Sequence, residues 1–189
     1  MVTSPPDHPA TGKCSKVQMD FIRKIKTQIK NSSQASIPYL FEPPPILETG
    51  QKPKAEPYYI KPLLVFVPHL QCPAIFKRLK CSFDCCSEVG SLKAKEWQSN
   101  PTARYVHDIL GGFYFMTYLY ACEKCSHDKQ SFQKLYRDMP NVLKSRFNIQ
   151  ISARSAYSDQ FISYICTSVA STSTLHDTVK SIGSIRATR

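Results

Sequence analysis

The 189-residue chain has no long hydrophobic run, one tryptophan and only six glycines. None of its apolar stretches reaches the ~18 residues that crossing a bilayer requires. The longest, "PLLVFV" and "GGFYFMTYLYAC", have lengths that suit strands. "MVTSPPDHPATGKC" carries no apolar h-region, so no secretory signal is expected and a reducing, intracellular compartment is. There, the eight cysteines point to metal ligands or buried thiols before disulfides.

Catalytic signatures are missing too. There is no G-x-x-x-x-G-K-[ST], G-x-G-x-x-G, G-x-S-x-G or H-E-x-x-H. A zinc deaminase needs H-x-E ahead of P-C-x-x-C; "ACEKC" lacks the proline and no H-x-E exists. Two-metal nuclease chemistry needs convergent carboxylates. Asp84, Glu88, Glu96, Asp108, Glu123, Asp128 and Asp138 fall in no recognisable arrangement. A non-catalytic protein is expected.

What is present is positive charge. Lys and Arg number 25 against 14 Asp and Glu, a formal +11 spread along the chain. Such an excess suits DNA, RNA or another acidic partner, and equally a solvated basic surface. Nine of the 14 prolines lie in residues 1–58. Residues 1–57 therefore read as a disordered, proline-rich region. Within it, "SKVQMDFIRKIKTQIKNS" spaces Val17, Phe21, Ile22, Ile25 and Ile29 as a short basic amphipathic helix over about 16–30. Its partner is open: another molecule, a membrane surface or the domain itself. Order is expected from about Tyr58.

Residues 58–170 form the expected domain. "YYIKPLLVFVPHL", "SLKAKEW", "ARYVHDI" and "FYFMTYLYA" read as strands, with a hairpin turn at Gly111–Gly112. "SHDKQSFQKLYRDM" and "PNVLKSRF" read as helices, the second starting on Pro140. "ISARSAYSDQFISYICTSVAS" puts Ala156, Tyr157, Phe161, Tyr164, Ile165 and Val169 on one helical face, with Ser152 as N-cap and Cys166 in the core. Residues 171–189 read as a weakly helical tail, expected to be truncated.

Two close cysteine pairs bracket the strand-rich stretch. "CSFDCC" offers Cys81 with Cys85 or Cys86, and "ACEKC" offers Cys122 and Cys125. A structural zinc needs four soft ligands in a tetrahedron, which two loops brought together by a β-hairpin supply. The competing reading is four buried free thiols. Cys72 is a possible substitute ligand, and Cys14 lies outside the pattern. His107 and His127 are weaker candidates, since a lone histidine is more often surface or core. A thioredoxin-like pair is disfavoured because no βαβ pattern surrounds Cys122.

The ordered series Pro68, Cys81 with a partner cysteine, Trp97, "RYV" at 104–106, "YLYACEKC", "MP" at 139–140, "RF" at 146–147 and "SARSAYS" resembles an uncharacterised eukaryotic zinc-ribbon domain. It is similar to the cysteine-cluster domains that accompany Kyakuja-Dileera-Zisupton transposons. The resemblance spans about residues 63–165. It implies one structural zinc held by Cys81, Cys122, Cys125 and either Cys85 or Cys86, with Cys86 favoured for the wider loop. It also implies a module of transposon-derived or nuclear proteins.

The expected fold is thus α+β: a small β-rich zinc ribbon, then a helical segment, after a disordered N-terminal region. The expected function is a non-catalytic zinc module that binds nucleic acid. Lys77, Arg78 and Lys80 beside the first loop are the leading phosphate contacts, joined by Arg104 and Lys124. The aromatics Phe113, Phe115, Tyr118 and Tyr120 read as core before platform. A protein-interaction scaffold is the competing class, and a fragment of a larger transposase-like enzyme the third.

Overall fold

The computed structural model describes residues 14–32, 37–45, 60–81, 83, 86, 89–125, 132–152, 155–171 and 174–187. The chain is α+β: seven strands in one curled, mixed sheet, with helices on it and after it. In chain order these are α1 (Lys16–Asn31), β1 (Leu40–Phe41), β2 (Leu63–Phe66), α2 (Pro68–Gln71), α3 (Pro73–Phe76), β3 (Leu92–Trp97), β4 (Arg104–His107) and β5 (Phe113–Cys122). After them come α4 (Phe132–Arg137), α5 (Asn141–Lys144), β6 (Ile149–Ile151), β7 (Ala156–Ser158), α6 (Asp159–Ala170) and α7 (Leu175–Ala187).

The ten-residue β5 is the axis. Its first half lies between β2, parallel to it, and β4, antiparallel to it. Its second half pairs with β3 from Leu92↔Cys122 to Trp97↔Tyr118, with an irregularity between Ala94 and Glu96. The sheet runs β1-β2-β5-β4-β7-β6. β4 and β5 meet at Gly111–Gly112, both at positive φ. A Cβ on Gly112 would sit 2.5 Å from the Tyr105 hydroxyl and from the Val106 carbonyl, so only glycine allows this closure.

One apolar cluster fills the sheet face under α4 and α5, with Phe66, Val106, Phe115, Tyr120, Phe132, Leu135, Leu143, Phe147 and Ala156 buried. Phe66, Phe115, Phe132 and Phe147 meet edge to face, with centroids from 4.7 to 6.4 Å. A second cluster lies on the other face, where Phe21, Ile22, Ile25 and Ile29 of α1 pack on Leu63, Val65 and Met116. Each such side chain contributes ~1.5–3 kcal/mol by leaving water, enough to hold a helix that would be marginal alone. Gln18, itself buried, clamps the helix: its side chain accepts from the Lys61 N–H at 2.7 Å and donates to the Lys61 carbonyl at 3.2 Å.

Several expectations change. The sheet is larger than a small ribbon: β3 and the end of β5 are only one part of it. The folded body does not begin at Tyr58, since α1 and residues 37–45 belong to it: Ile37 and Phe41 are buried and β1 pairs with β2. The segment expected to be one helix from Ser152 is a β6–β7 hairpin followed by α6, which starts on Ser158: its hydroxyl caps the Phe161 N–H at 3.0 Å. Ser152 is a turn residue, accepting the Ser155 N–H on its hydroxyl. Cys166 is exposed, not core, because α6 has no fully buried side chain. Pro140 precedes α5 as its N-cap instead of occupying its first turn. The tail holds α7, which lies against α6 through Tyr164 and Ser181. Among the described residues no helix is long and apolar enough to cross a membrane.

Candidate metal centre and basic face

The two cysteine loops meet at the far end of β5. An antiparallel bridge between Lys80 and Val89 closes the first loop. Cys122 is the last residue of β5, and Cys125 lies in the turn after it. β3 joins the loops, with Leu92 opposite Cys122. The Glu123 N–H donates to the Ser91 carbonyl at 2.9 Å, and the Gly90 N–H to the Leu79 carbonyl at 3.1 Å. Gly90 has φ +75°, and a Cβ there would lie 3.0 Å from the Lys77 carbonyl, so the return of the first loop depends on glycine.

This arrangement brings Cys81, Cys86, Cys122 and Cys125 together, all four Sγ atoms within 4.8 Å of one another. Two pairs cross between the loops: Cys81–Cys125 and Cys86–Cys122, each 3.6 Å. A disulfide needs ~2.05 Å. A tetrahedral zinc with Zn–S near 2.3 Å requires S···S edges of about 3.8 Å. The spacing is too long for disulfides and is compatible with four ligands about one ion; none of the four is in a disulfide. Cys81, Cys86 and Cys122 are buried and Cys125 half-buried.

The loop also favours the form that binds metal. Burial pushes the Cys122 thiol up. Hydrogen bonds with the Ser91 hydroxyl, 3.3 Å away, then with the backbone of Cys125 and Lys124 and with the Cys125 thiol, outweigh it and bring it down to about 6. Metals bind thiolates, so a lowered thiol is a better ligand at neutral pH. Four cysteine ligands leave no open coordination position, which suits a structural role.

The remaining candidates fall elsewhere. Cys72 is no substitute ligand: it bonds with the Tyr39 hydroxyl, and burial raises its pKa. Cys14 bonds with Tyr114 beside α1. His107 stacks on Tyr157 with centroids 5.3 Å apart, on the sheet. Cys85 and His127 lie outside the described residues.

Lys77 caps α3, Arg78 follows it, and Lys80 and Lys124 each adjoin a clustered cysteine. All four are exposed at the cysteine end. Lys93 on β3 forms an ion pair with Glu123 there. Arg104 is not part of this group. It pairs with Phe115, seven residues from Cys122 along β5, or roughly 23 Å at 3.3 Å per residue. Its guanidinium donates to the Ser152 carbonyl at 3.1 Å and lines a cleft of about 140 Å³ with Gln98, Thr117 and Gln133. Phe115 and Tyr120 are buried, and Phe113 and Tyr118 pack against the first core.

Sequence reasoning missed two residues near the site. Ser91 bonds to Cys122, but a lone serine after glycine carries no such signal. His69 sits on the buried Tyr120, its Nδ1 2.9 Å from the hydroxyl, where burial lowers it to about 4. Only its place after Pro68 marked it.

Residues 14–183 match the family model described as a domain of unknown function, DUF6729. No curated protein matches the chain, and no solved structure does.

Proposed function

Since the chain belongs to the DUF6729 family, whose description assigns no activity, we propose a function read from the site: a structural zinc centre that presents a basic face to nucleic acid. The observation that carries the metal reading is the cross-loop 3.6 Å spacing of four cysteine sulfurs drawn from two loops 36 residues apart in sequence. Zinc is the ion such a four-thiolate tetrahedron suits. Zinc ties the β3–β5 end into a ribbon and does no chemistry itself. Without it, four thiols converge on one point with no shared ion to hold them there.

Lys77, Arg78, Lys80 and Lys124 stand around that centre and supply phosphate contacts. The wider setting proposed, a transposon-derived nuclear protein, is supported by the ordered motif series of the sequence. A second reading has its own observation. Zinc with four thiolates carries a net charge of −2, so Lys80 and Lys124 also serve as its local counter-charges. In that case the module is a scaffold for a protein partner.

Salt titration separates the two. Binding by counterion release weakens steeply as salt rises, with a slope that counts the phosphates neutralised. The variant Lys77→Ala/Arg78→Ala/Lys80→Ala is expected to keep its zinc and fold, to bind nucleic acid more weakly and to show a shallower slope. An unchanged affinity and slope would remove this face from the account.

A further inference from the structure

β4 and β7 bury one face and present rings on the other. Val106 and Ala156 are fully buried against the first core, and they alternate with Tyr105, His107 and Tyr157, which are half-exposed. His107 lies opposite Tyr157 in the register, and Tyr105 opposite Tyr114. α6 extends the row with Phe161, whose backbone is fixed by the Ser158 cap. Ser158 also bonds Asp108 at the end of β4, tying strand to helix.

The rings form a continuous series. Tyr105 meets His107 edge to face at 5.0 Å. His107 and Tyr157 are near-parallel at 5.3 Å and 27°, and Tyr157 and Phe161 at 5.8 Å and 16°. These separations exceed the ~3.5 Å of full face-to-face contact, so the rings overlap only in part, like steps. α1 covers the same sheet face where β2 and β5 lie, reaching Tyr114 at its margin. Part of this face is therefore closed by an apolar helix, and part carries stepped aromatic rings.

We propose that this ladder of His107, Tyr157 and Phe161, with Tyr105 at its edge, is a stacking platform for the bases of single-stranded nucleic acid. It rests on the nucleic-acid reading above and narrows it from nucleic acid in general to an unpaired strand. Three observations favour that occupant over an apolar protein surface. Stepped, half-exposed rings suit bases, since each base has a π-face and needs no sequence match. The chain carries a formal +11, which complements phosphates. Lys61, beside β2, brings its ammonium to Gly111 in the β4–β5 turn.

The test uses the full zinc-loaded chain with a short oligothymidylate and a duplex of equal length. The platform predicts tighter binding to the single strand. Tyr157→Ala and Phe161→Ala should each weaken that binding by about tenfold with the salt slope unchanged, because a stacking ring is lost and no charge is. Tyr157→Trp should restore it. Oligonucleotides carrying 5-iodouracil should crosslink to Tyr157 or Phe161, a readout that needs no variant to fold. Alanine variants that keep their fold and bind the single strand like the parent would overturn the ladder. So would crosslinks confined to the cysteine end. Either result leaves the basic-face reading standing if Lys77, Arg78 and Lys80 still set the slope. Absence of any nucleic-acid binding at low salt would overturn both, and a protein partner lost in the same ring variants would reassign the face.

Discussion

The two halves of β5 are held by different physics. From Phe113 to Thr117 the strand is flanked by β2 and β4 and covered on both faces, by α1 on one and by α4 and α5 on the other. From Tyr118 to Cys122 it pairs with β3, whose residues 93–96 are all exposed. The first half is stabilised by buried side chains such as Phe66, Ile22 and Met116. The second ends in four convergent sulfurs. An apolar core persists whatever the solvent holds, whereas a coordinated end is as stable as its supply of metal. With the metal centre proposed above, one sheet joins a part that folds by burial to a part that folds by ligation.

Metal removal should break the comparison most strongly. Structural zinc contributes on the order of 10 kcal/mol in small zinc domains at neutral pH. Stripping it with a chelator is expected to raise hydrogen exchange sharply in residues 92–97 and 118–125. Protection in 63–67 and 113–116 should survive. Equal loss in both halves would mean that the body depends on the metal as well.

Ile22→Ala should strike the other half. Ile22 is fully buried under the sheet, and such truncations cost ~2–5 kcal/mol. Global stability in urea should fall by that amount while zinc per chain stays constant. A loss below ~0.5 kcal/mol would place α1 outside the folded body. Gly112→Ala comes next. The residue stands at φ +78° with the Tyr105 hydroxyl and the Val106 carbonyl in the way of a Cβ. A cost of ~1–3 kcal/mol is expected from thermal unfolding.

The smallest effect belongs to His69, which lies where the halves join. Burial lowers it from 6.5 to about 4, so the folded state holds it neutral while the unfolded chain protonates it first. Its stabilising contribution is complete above pH 6.5 and is lost as pH falls from there through about 4. Partial solvation makes this less than ~1.4 kcal/mol per pH unit. His69→Gln should flatten the stability profile in that window and leave it unchanged near neutrality. An identical acid limb in the variant would assign the titration to another group.

The sequence made some of this legible and hid the rest for physical reasons. The period of Phe21, Ile22, Ile25 and Ile29 marks a helix, but periodicity says nothing about which surface buries it; Leu63, Val65 and Met116 do so from far along the chain. Short aromatic and apolar runs mark β3, β4 and β5, and paired glycines mark the turn between the last two. The parallel pairings β2–β5 and β4–β7 leave no local trace, because parallel partners are joined by long crossings. Ala156 and Tyr157 match a helical face by spacing, yet they lie in a three-residue strand: over so few residues the two periods are not distinguishable. The clustering of Cys81, Cys122 and Cys125 with a cysteine at 85 or 86 was readable because metal-binding loops use such short spacings; the structure brings Cys86 to them. Ser91 and the ring ladder were not readable, since both arise only when the strands align.

Metal content of the purified full chain, measured beside Cys122→Ser, tests the central claim most directly. One zinc per chain in the parent, with its loss and unprotected amides at 118–125 in the variant, is the expected result. A metal-free parent with those amides fully protected would contradict the account and leave the four cysteines as packed thiols.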